Sequence, residues 1–328
     1  MTLKRILLFL LLGCAGIFPL QAQPVNVQQF QNTQQAQQLQ APLINPVAGT
    51  NAPELYPGEN VDVGPQKILR LNPRHKYFDV LLDSQVFYSD NANFAQGSAI
   101  IGSAVFVNTA QIAITPPDLT LGSGKFGSAI GYISQWYNYE NNQMHSLDFN
   151  AQTAFISGRY ALGNWQFSLG GNYTRLLNQS DYDETYHEFL PAFVIQRFFP
   201  IGDKLLFVVG NQVDYHFTSV PKTFGSSTEI NNRFDDAVNI TLAWQMTKHL
   251  MLQPYYRFQY SNYRYDTLQT SDRNDYLNSV GFTLAYYINK NISLRTFFNY
   301  NIKNSDDNYT PAYHEYNGGV GGTLDITF

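Results

Sequence analysis

The stretch Gly318–Phe328, GGVGGTLDITF, decides the fold. Side chains alternate across a strand. Val320, Leu324, Ile326 and Phe328 therefore share one face, and Gly321, Thr323, Asp325 and Thr327 share the other. Chain termini are ordinarily polar and frayed. A last strand that keeps an apolar face up to its final phenylalanine needs something other than water against that face.

The same period of two runs backward through the chain. Leu205, Phe207, Val209, Val213, Tyr215 and Phe217 oppose Leu206, Val208, Gly210, Gln212, Asp214 and His216. Ile292, Leu294, Phe298 and Tyr300 oppose Ser293, Arg295, Phe297, Asn299 and Asn301. Trp165, Phe167, Leu169 and Tyr173 oppose Gln166, Ser168, Gly170, Asn172 and Thr174. These runs exceed ten residues, whereas strands of globular sheets average about 5–6. About 9–11 residues cross a bilayer at a tilt, and apolar-out, polar-in alternation is the pattern of a transmembrane barrel. Only closure satisfies every backbone hydrogen bond of a sheet in lipid.

Composition agrees. The 328 residues are 15% aromatic and only 14% charged, where soluble domains carry about 25% charge. Mean hydropathy is nevertheless −0.26, so the chain is not apolar throughout. Beyond the first twenty residues no run is long and apolar enough for a membrane helix, which needs about 20 residues.

Short connections fall at Gly163-Asn164, Pro200–Gly202, Thr247-Lys248 and Asn289-Lys290, and long polar ones near 178–186, 218–231, 265–274 and 304–313. They alternate, as expected if short turns face the periplasm and long loops the exterior. Counting back from Phe328 yields eleven strands, and alternation demands another between residues 90 and 126, for which Ala99–Thr115 is the candidate. The expectation is an all-β, transmembrane antiparallel barrel of about twelve strands over residues 76–328, with ten as the alternative.

The N-terminus reads as an export leader, residues 1–22: basic Lys4 and Arg5, apolar Ile6–Leu12, and a cleavage site ending at Ala22. An uncleaved anchor would need a longer apolar run. Leu11-Leu12-Gly13-Cys14 also offers a lipidation signal, although the residues after Cys14 are apolar for a lipoprotein tail. Cys14 is the only cysteine, so a chain cleaved at Ala22 has no thiol or disulfide chemistry. Losing the leader removes two basic residues and no acids, which makes the formal charge of −5 more negative and disfavours nucleic acid as a partner. Residues 23–75 are glutamine-rich and then rich in Pro and Gly. The reading is a flexible periplasmic arm, with room for a short helix in the glutamine tract.

The first strand, Tyr77-Phe78-Asp79-Val80 to Tyr88-Ser89-Asp90-Asn91, and the last hairpin, with Phe298-Asn299-Tyr300-Asn301, Tyr313, Tyr316, Asn317 and the closing strand, carry a resemblance. The layout from about Tyr77 to Phe328 resembles the β-barrel porin families of bacterial outer membranes, some associated with exopolysaccharide production. The resemblance implies the fold, a bilayer environment and passage of hydrophilic solutes. It transfers no catalytic residue. Val320, Leu324, Ile326 and Phe328 are similar to the C-terminal signal that barrel-assembly machinery reads.

Chemistry is sparse. His75, His145, His187, His216, His249 and His314 sit in no recognised nucleophile pattern, and no CxxC, HExxH or phosphate-binding glycine loop occurs. Asp181-Tyr182-Asp183-Glu184 lacks the glycine turn of a dedicated calcium loop. The expectation is no enzyme, no cofactor and no built metal site. Function then lies in the lumen, whose candidate lining is Asp148, Asn172, Gln212, Asp214, His216, Gln253, Arg257, Gln259, Arg295, Asn299 and Asp325. The set is neutral-polar with charges of both signs, which suits a hydrophilic solute such as a saccharide. The alternative is a closed barrel that anchors its arm or displays its loops, and the third, least supported reading is an outer-membrane enzyme. An ion pair is expected between Arg295 and Asp325, Asp79 or Asp83.

Overall fold

The structure is a computed structural model that describes residues 25–40, 76–220, 229–264, 273–307, 310 and 312–328. The leader, Cys14 and residues 41–75 lie outside the described residues.

Twelve long antiparallel strands form the wall: β1 (Phe78–Ser89), β2 (Ser103–Ile114), β4 (Gly124–Tyr139), β5 (Phe149–Leu162), β6 (Trp165–Asn178), β7 (Glu184–Ile201), β8 (Leu205–Ser219), β9 (Arg233–Gln245), β10 (Leu250–Tyr263), β11 (Arg273–Tyr287), β12 (Ile292–Ser305) and β13 (Tyr313–Thr327). A three-residue β3 (Leu119–Leu121) folds back on the start of β4 and adds a flap that the sequence pattern does not announce. Each long strand pairs with its neighbours, β2 pairs with β4, and β13 pairs with β1, which closes the ring. Twelve staves, rather than ten, is the observed count, and β2 lies within the candidate stretch 99–115.

Closure runs through the opening motif. Val320, Leu324 and Ile326 stand opposite Val86, Leu82 and Val80, all on the outward face. Val320 is 54% and Phe328 65% exposed, as are Leu169 at 66% and Ile156 at 61%. An exterior with this much apolar surface is a lipid-facing surface. Gly163 takes a left-handed φ of +56° in the two-residue turn between β5 and β6, where a side chain would be strained.

Residues 25–40 depart from the arm expected in the periplasm. They form a helix, α1 (Val25–Gln40), inside the barrel. Its first turns lie at the long-loop end, where Asn26 Nδ2 donates to Thr185 Oγ1 at 3.3 Å. Its last turn lies toward the short-turn end, where Gln253 Nε2 donates to the Leu39 carbonyl at 2.6 Å. The physical reason is the sequence VNVQQFQNTQQAQQLQ, which has no charge and only Val25, Val27, Phe30, Ala36 and Leu39 as apolar residues. A short helix that is polar nearly all round is marginal in water. In the lumen its amides meet polar partners, and burial of Val27 and Phe30 contributes roughly 1.5–3 kcal/mol each.

Candidate functional site

The wall around α1 has two arcs of different chemistry. On β2, β4, β5 and β6 the lumen face toward the long loops is apolar: Val105, Val107, Tyr137, Phe149, Ala151 and Leu176 are fully buried. Tyr137 stacks on Phe149 with centroids 4.2 Å apart, and Phe30 of α1 meets Tyr137 edge-on at 6.4 Å. Phe87 and Phe297 complete the cluster from β1 and β12.

From β7 to β13 the same level carries buried charge. Asp275 joins Arg273 Nη2 and Lys303 Nζ, each at 2.8 Å. The Arg273 guanidinium also lies 3.5 Å from the ring centroid of Tyr263. Arg233 Nε binds both oxygens of Asp235 at 3.0 Å. His216 Nδ1 lies 2.9 Å from Glu188 Oε2. Asp214, His216 and Asp235 place ligand-type atoms within 4.8 Å of one another. Arg233 Nη2, 3.0 Å from His216 Nε2, already supplies the cation there. At the seam Arg295 forms a bidentate pair with Asp83 at 2.5 and 2.9 Å and reaches Gln85 at 2.8 Å. Of the three acids weighed for Arg295, Asp83 is therefore its partner. Gly321 makes this reach possible: a Cβ there would stand 3.1 Å from the Arg295 guanidinium carbon and 3.0 Å from Gln85 Cβ.

The helix bridges the arcs with neutral amides. Asn32 Nδ2 donates to Tyr313 Oη at 3.2 Å and to Glu315 Oε2 at 3.3 Å. Gln35 Nε2 donates to Gln259 Oε1 at 3.0 Å, and Gln135 Nε2 donates to Gln37 Oε1 at 3.1 Å. Lys303 Nζ donates to Gln28 Oε1 at 3.4 Å.

Ten of the eleven candidate lining residues fall on inward positions. Asn172, Gln212, Asp214, His216, Gln253, Arg257, Gln259, Arg295 and Asn299 alternate with the outward aromatics and aliphatics of β6, β8, β10 and β12. Asp325 has inward parity on β13 near the short-turn end, where it is exposed. Asp148 is the correction. It precedes β5 at the long-loop end, and its Oδ1 accepts the Tyr139 backbone N–H at 2.8 Å. On β5 the polar Asn150 and Gln152 lie on the face of the exposed Ile156, and Phe149 and Ala151 point inward. Equating polar with inward fails here because the lumen is filled by a helix whose apolar residues need an apolar wall. The signal that was available is the pair Val27 and Phe30 in an otherwise polar tract.

On the short-turn side of α1 the lumen holds a cavity of about 260 Å³, lined among others by Gln38, Gln196, Gln212, Asn239, Gln253 and Arg257. The open space and the filled space are thus stacked along one axis.

No family model and no curated protein matches the sequence. Solved structures do. An outer membrane channel of Pseudomonas putida F1 superposes with a TM-score of 0.52 at 8% identity, over 76% of this chain and 96% of that one. The KdgM porin matches with a TM-score of 0.37 at 13% identity, over 74% and 97% of the two chains. The NanC porin matches at 0.42 and 12% identity, over 74% and 98%. The chain, a closed twelve-stranded barrel, therefore shares its fold with that outer-membrane channel of Pseudomonas putida.

Proposed function

We propose that the protein is a porin-like conduit for hydrophilic solutes, saccharides among them, and that α1 is its removable plug. In this reading residues 1–22 are an export leader, the barrel sits in the outer membrane, and the short turns and both ends of the barrel domain face the periplasm. Val320, Leu324, Ile326 and Phe328 then present the outward C-terminal face to the assembly machinery. The reading has no catalytic step.

One observation carries the plug. The helix bears no charge, while most buried wall charges beside it pair with one another: Arg273 and Lys303 with Asp275, Arg233 with Asp235, Arg295 with Asp83, His216 with Glu188; buried Glu315 instead accepts from Ser89 and Asn301 of the wall as well as from Asn32 of the helix. Withdrawing α1 leaves those pairs intact. It exchanges amide hydrogen bonds for bonds to water, each worth about 0.5–1.5 kcal/mol net, or about 1.5–3 where the partner is Glu315 or Lys303, and exposes Val27, Phe30 and the aromatic arc. A stopper bound by ion pairs would leave unpaired buried charges behind, at several kcal/mol each.

The test is single-channel conductance of the refolded chain in planar bilayers. Gln35→Cys and Gln259→Cys, in a Cys14→Ser background, allow α1 to be tied to β10 with a short thiol-reactive bridge. The expected result is current in the unbridged protein, silence when bridged, and steady current when residues 23–72 are deleted. Silence in all three would sink the conduit and favour a closed barrel that anchors or displays; the firm seating of Phe30 against Tyr137 is the observation on that side.

A further inference from the structure

The buried cations of the wall form ion pairs, with one exception at the cavity. Arg257 is 2% exposed, yet among the described residues no carboxylate lies within salt-bridge distance of it, in contrast to Arg233, Arg273, Arg295 and Lys303. Its hydrogen bonds all go to neutral amides. Nε and Nη2 donate to Gln259 Oε1 at 3.3 and 2.9 Å, and Nη1 donates to Asn239 Oδ1 at 2.9 Å and to Gln212 Oε1 at 3.5 Å. Two acids are each held off by an amide: Gln212 Nε2 donates to Asp214 Oδ2 at 2.7 Å and Gln259 Nε2 to Asp235 Oδ2 at 2.9 Å, so an amide stands between the cation and each anion. A guanidinium buried without a contacting counter-ion is costly, and this one lines the 260 Å³ cavity below α1.

The rest of that lining carries no charge: Gln38, Ser168, Gln196, Asn239, Thr241 and Gln253 offer hydrogen bonds, and Leu39, Val194 and Val208 add an apolar share. Amides and hydroxyls that converge on one space suit a ring of hydroxyl groups. The guanidinium fork suits a carboxylate.

We propose that the cavity at Arg257 is a binding site for a saccharide that carries a carboxylate, with the carboxylate on Arg257 and the hydroxyls on the surrounding amides. The site deepens the conduit reading and rests on it: it names the class of solute that the lumen recognises. The last turn of α1, with Gln38 and Leu39, forms part of the cavity lining. A helix C-terminus carries partial negative charge, so a carboxylate bound there disfavours the docked helix and binds more tightly once α1 has left.

The test is equilibrium dialysis of the full-length protein, refolded in detergent, against D-glucuronate, D-glucose and acetate. The site predicts glucuronate at least tenfold tighter than glucose or acetate. Arg257→Gln abolishes that preference, and Arg257→Lys, which keeps the charge and loses the fork, weakens glucuronate several-fold. Gln196→Ala weakens both sugars and leaves their ratio. Glucuronate bound no better than glucose, acetate bound as well as glucuronate, or a preference that survives Arg257→Gln would each overturn the proposal. The wild-type preference stands as a test even if a variant does not fold. Dialysis needs no flux, so the two readings fail separately. A silent barrel that prefers glucuronate loses the conduit and keeps the site; a conducting barrel without the preference loses the site and keeps the conduit.

Discussion

The two arcs of the lumen wall hold the same helix by opposite means. Along β2, β4, β5 and β6, Val27 and Phe30 press against Val105, Val107, Tyr137 and Phe149, and removal of apolar area from water does the binding. From β7 to β13 the contacts are amide hydrogen bonds to Tyr313, Glu315, Gln259 and Lys303, replaceable by water and stronger at the charged Glu315 and Lys303 than at the neutral partners. The charged arc keeps its strong interactions within itself. The difference separates two tasks. Ion pairs stitch the barrel, and burial of two side chains seats the plug.

The largest expected effect comes from breaking the stitching. Asp275→Ala leaves Arg273 and Lys303, both nearly inaccessible, without their shared carboxylate. It should lower barrel stability by about 3–5 kcal/mol, read as a drop in the urea midpoint of the refolded protein in detergent. A loss under about 1 kcal/mol would mean that water, rather than protein, solvates the charged arc.

Phe30→Ala attacks the other arc. It should weaken helix docking by about 3 kcal/mol, the lower range for a buried phenylalanine, and lower the barrel's urea midpoint less than Asp275→Ala does, since the helix stabilises the folded barrel only while it is docked. Labelling of an Ala36→Cys thiol reports docking alone. Unchanged labelling would show that the amide contacts hold α1 without the apolar arc.

A change at the seam sharpens the contrast. Gly321→Val pushes a side chain into the Arg295 guanidinium and Gln85, at a cost of about 1–3 kcal/mol from overpacking. The loss should appear in barrel stability and in slower refolding of the closing strand, with Ala36→Cys labelling unaltered. The smallest effect belongs to Gln35→Ala. Removing one amide bond to Gln259 should change docking by about 1 kcal/mol, and a loss as large as that of Phe30→Ala would erase the distinction between the arcs.

Much of this was legible residue by residue. The outward faces of β6, β8, β10, β12 and β13 follow from alternation alone, because each strand has lipid on one side and polar groups on the other. The partnership of Arg295 with Asp83 was narrowed to three acids by strand parity and distance from the turns. Register then decided among them, since Arg295 stands beside Gly321 and Gly321 beside Gln85 across the closing strand. Asp148 departs from its expected place because it precedes β5 and caps the Tyr139 backbone N–H; on β5 itself both faces meet apolar surroundings, lipid outside and the helix cluster inside, so hydropathy does not distinguish them.

The sequence by itself determined a long-stranded, lipid-facing barrel closed by Gly318–Phe328. That pattern is local, repeated in every strand, and imposed by a bilayer that tolerates no unpaired backbone. Only the tertiary structure decided that Val25–Gln40 fills the lumen and that Arg257 stands without a contacting carboxylate. Both depend on which residues from distant strands converge on one axis, and a polar helix or a lone arginine reads the same in sequence whether water or a ring of twelve strands surrounds it.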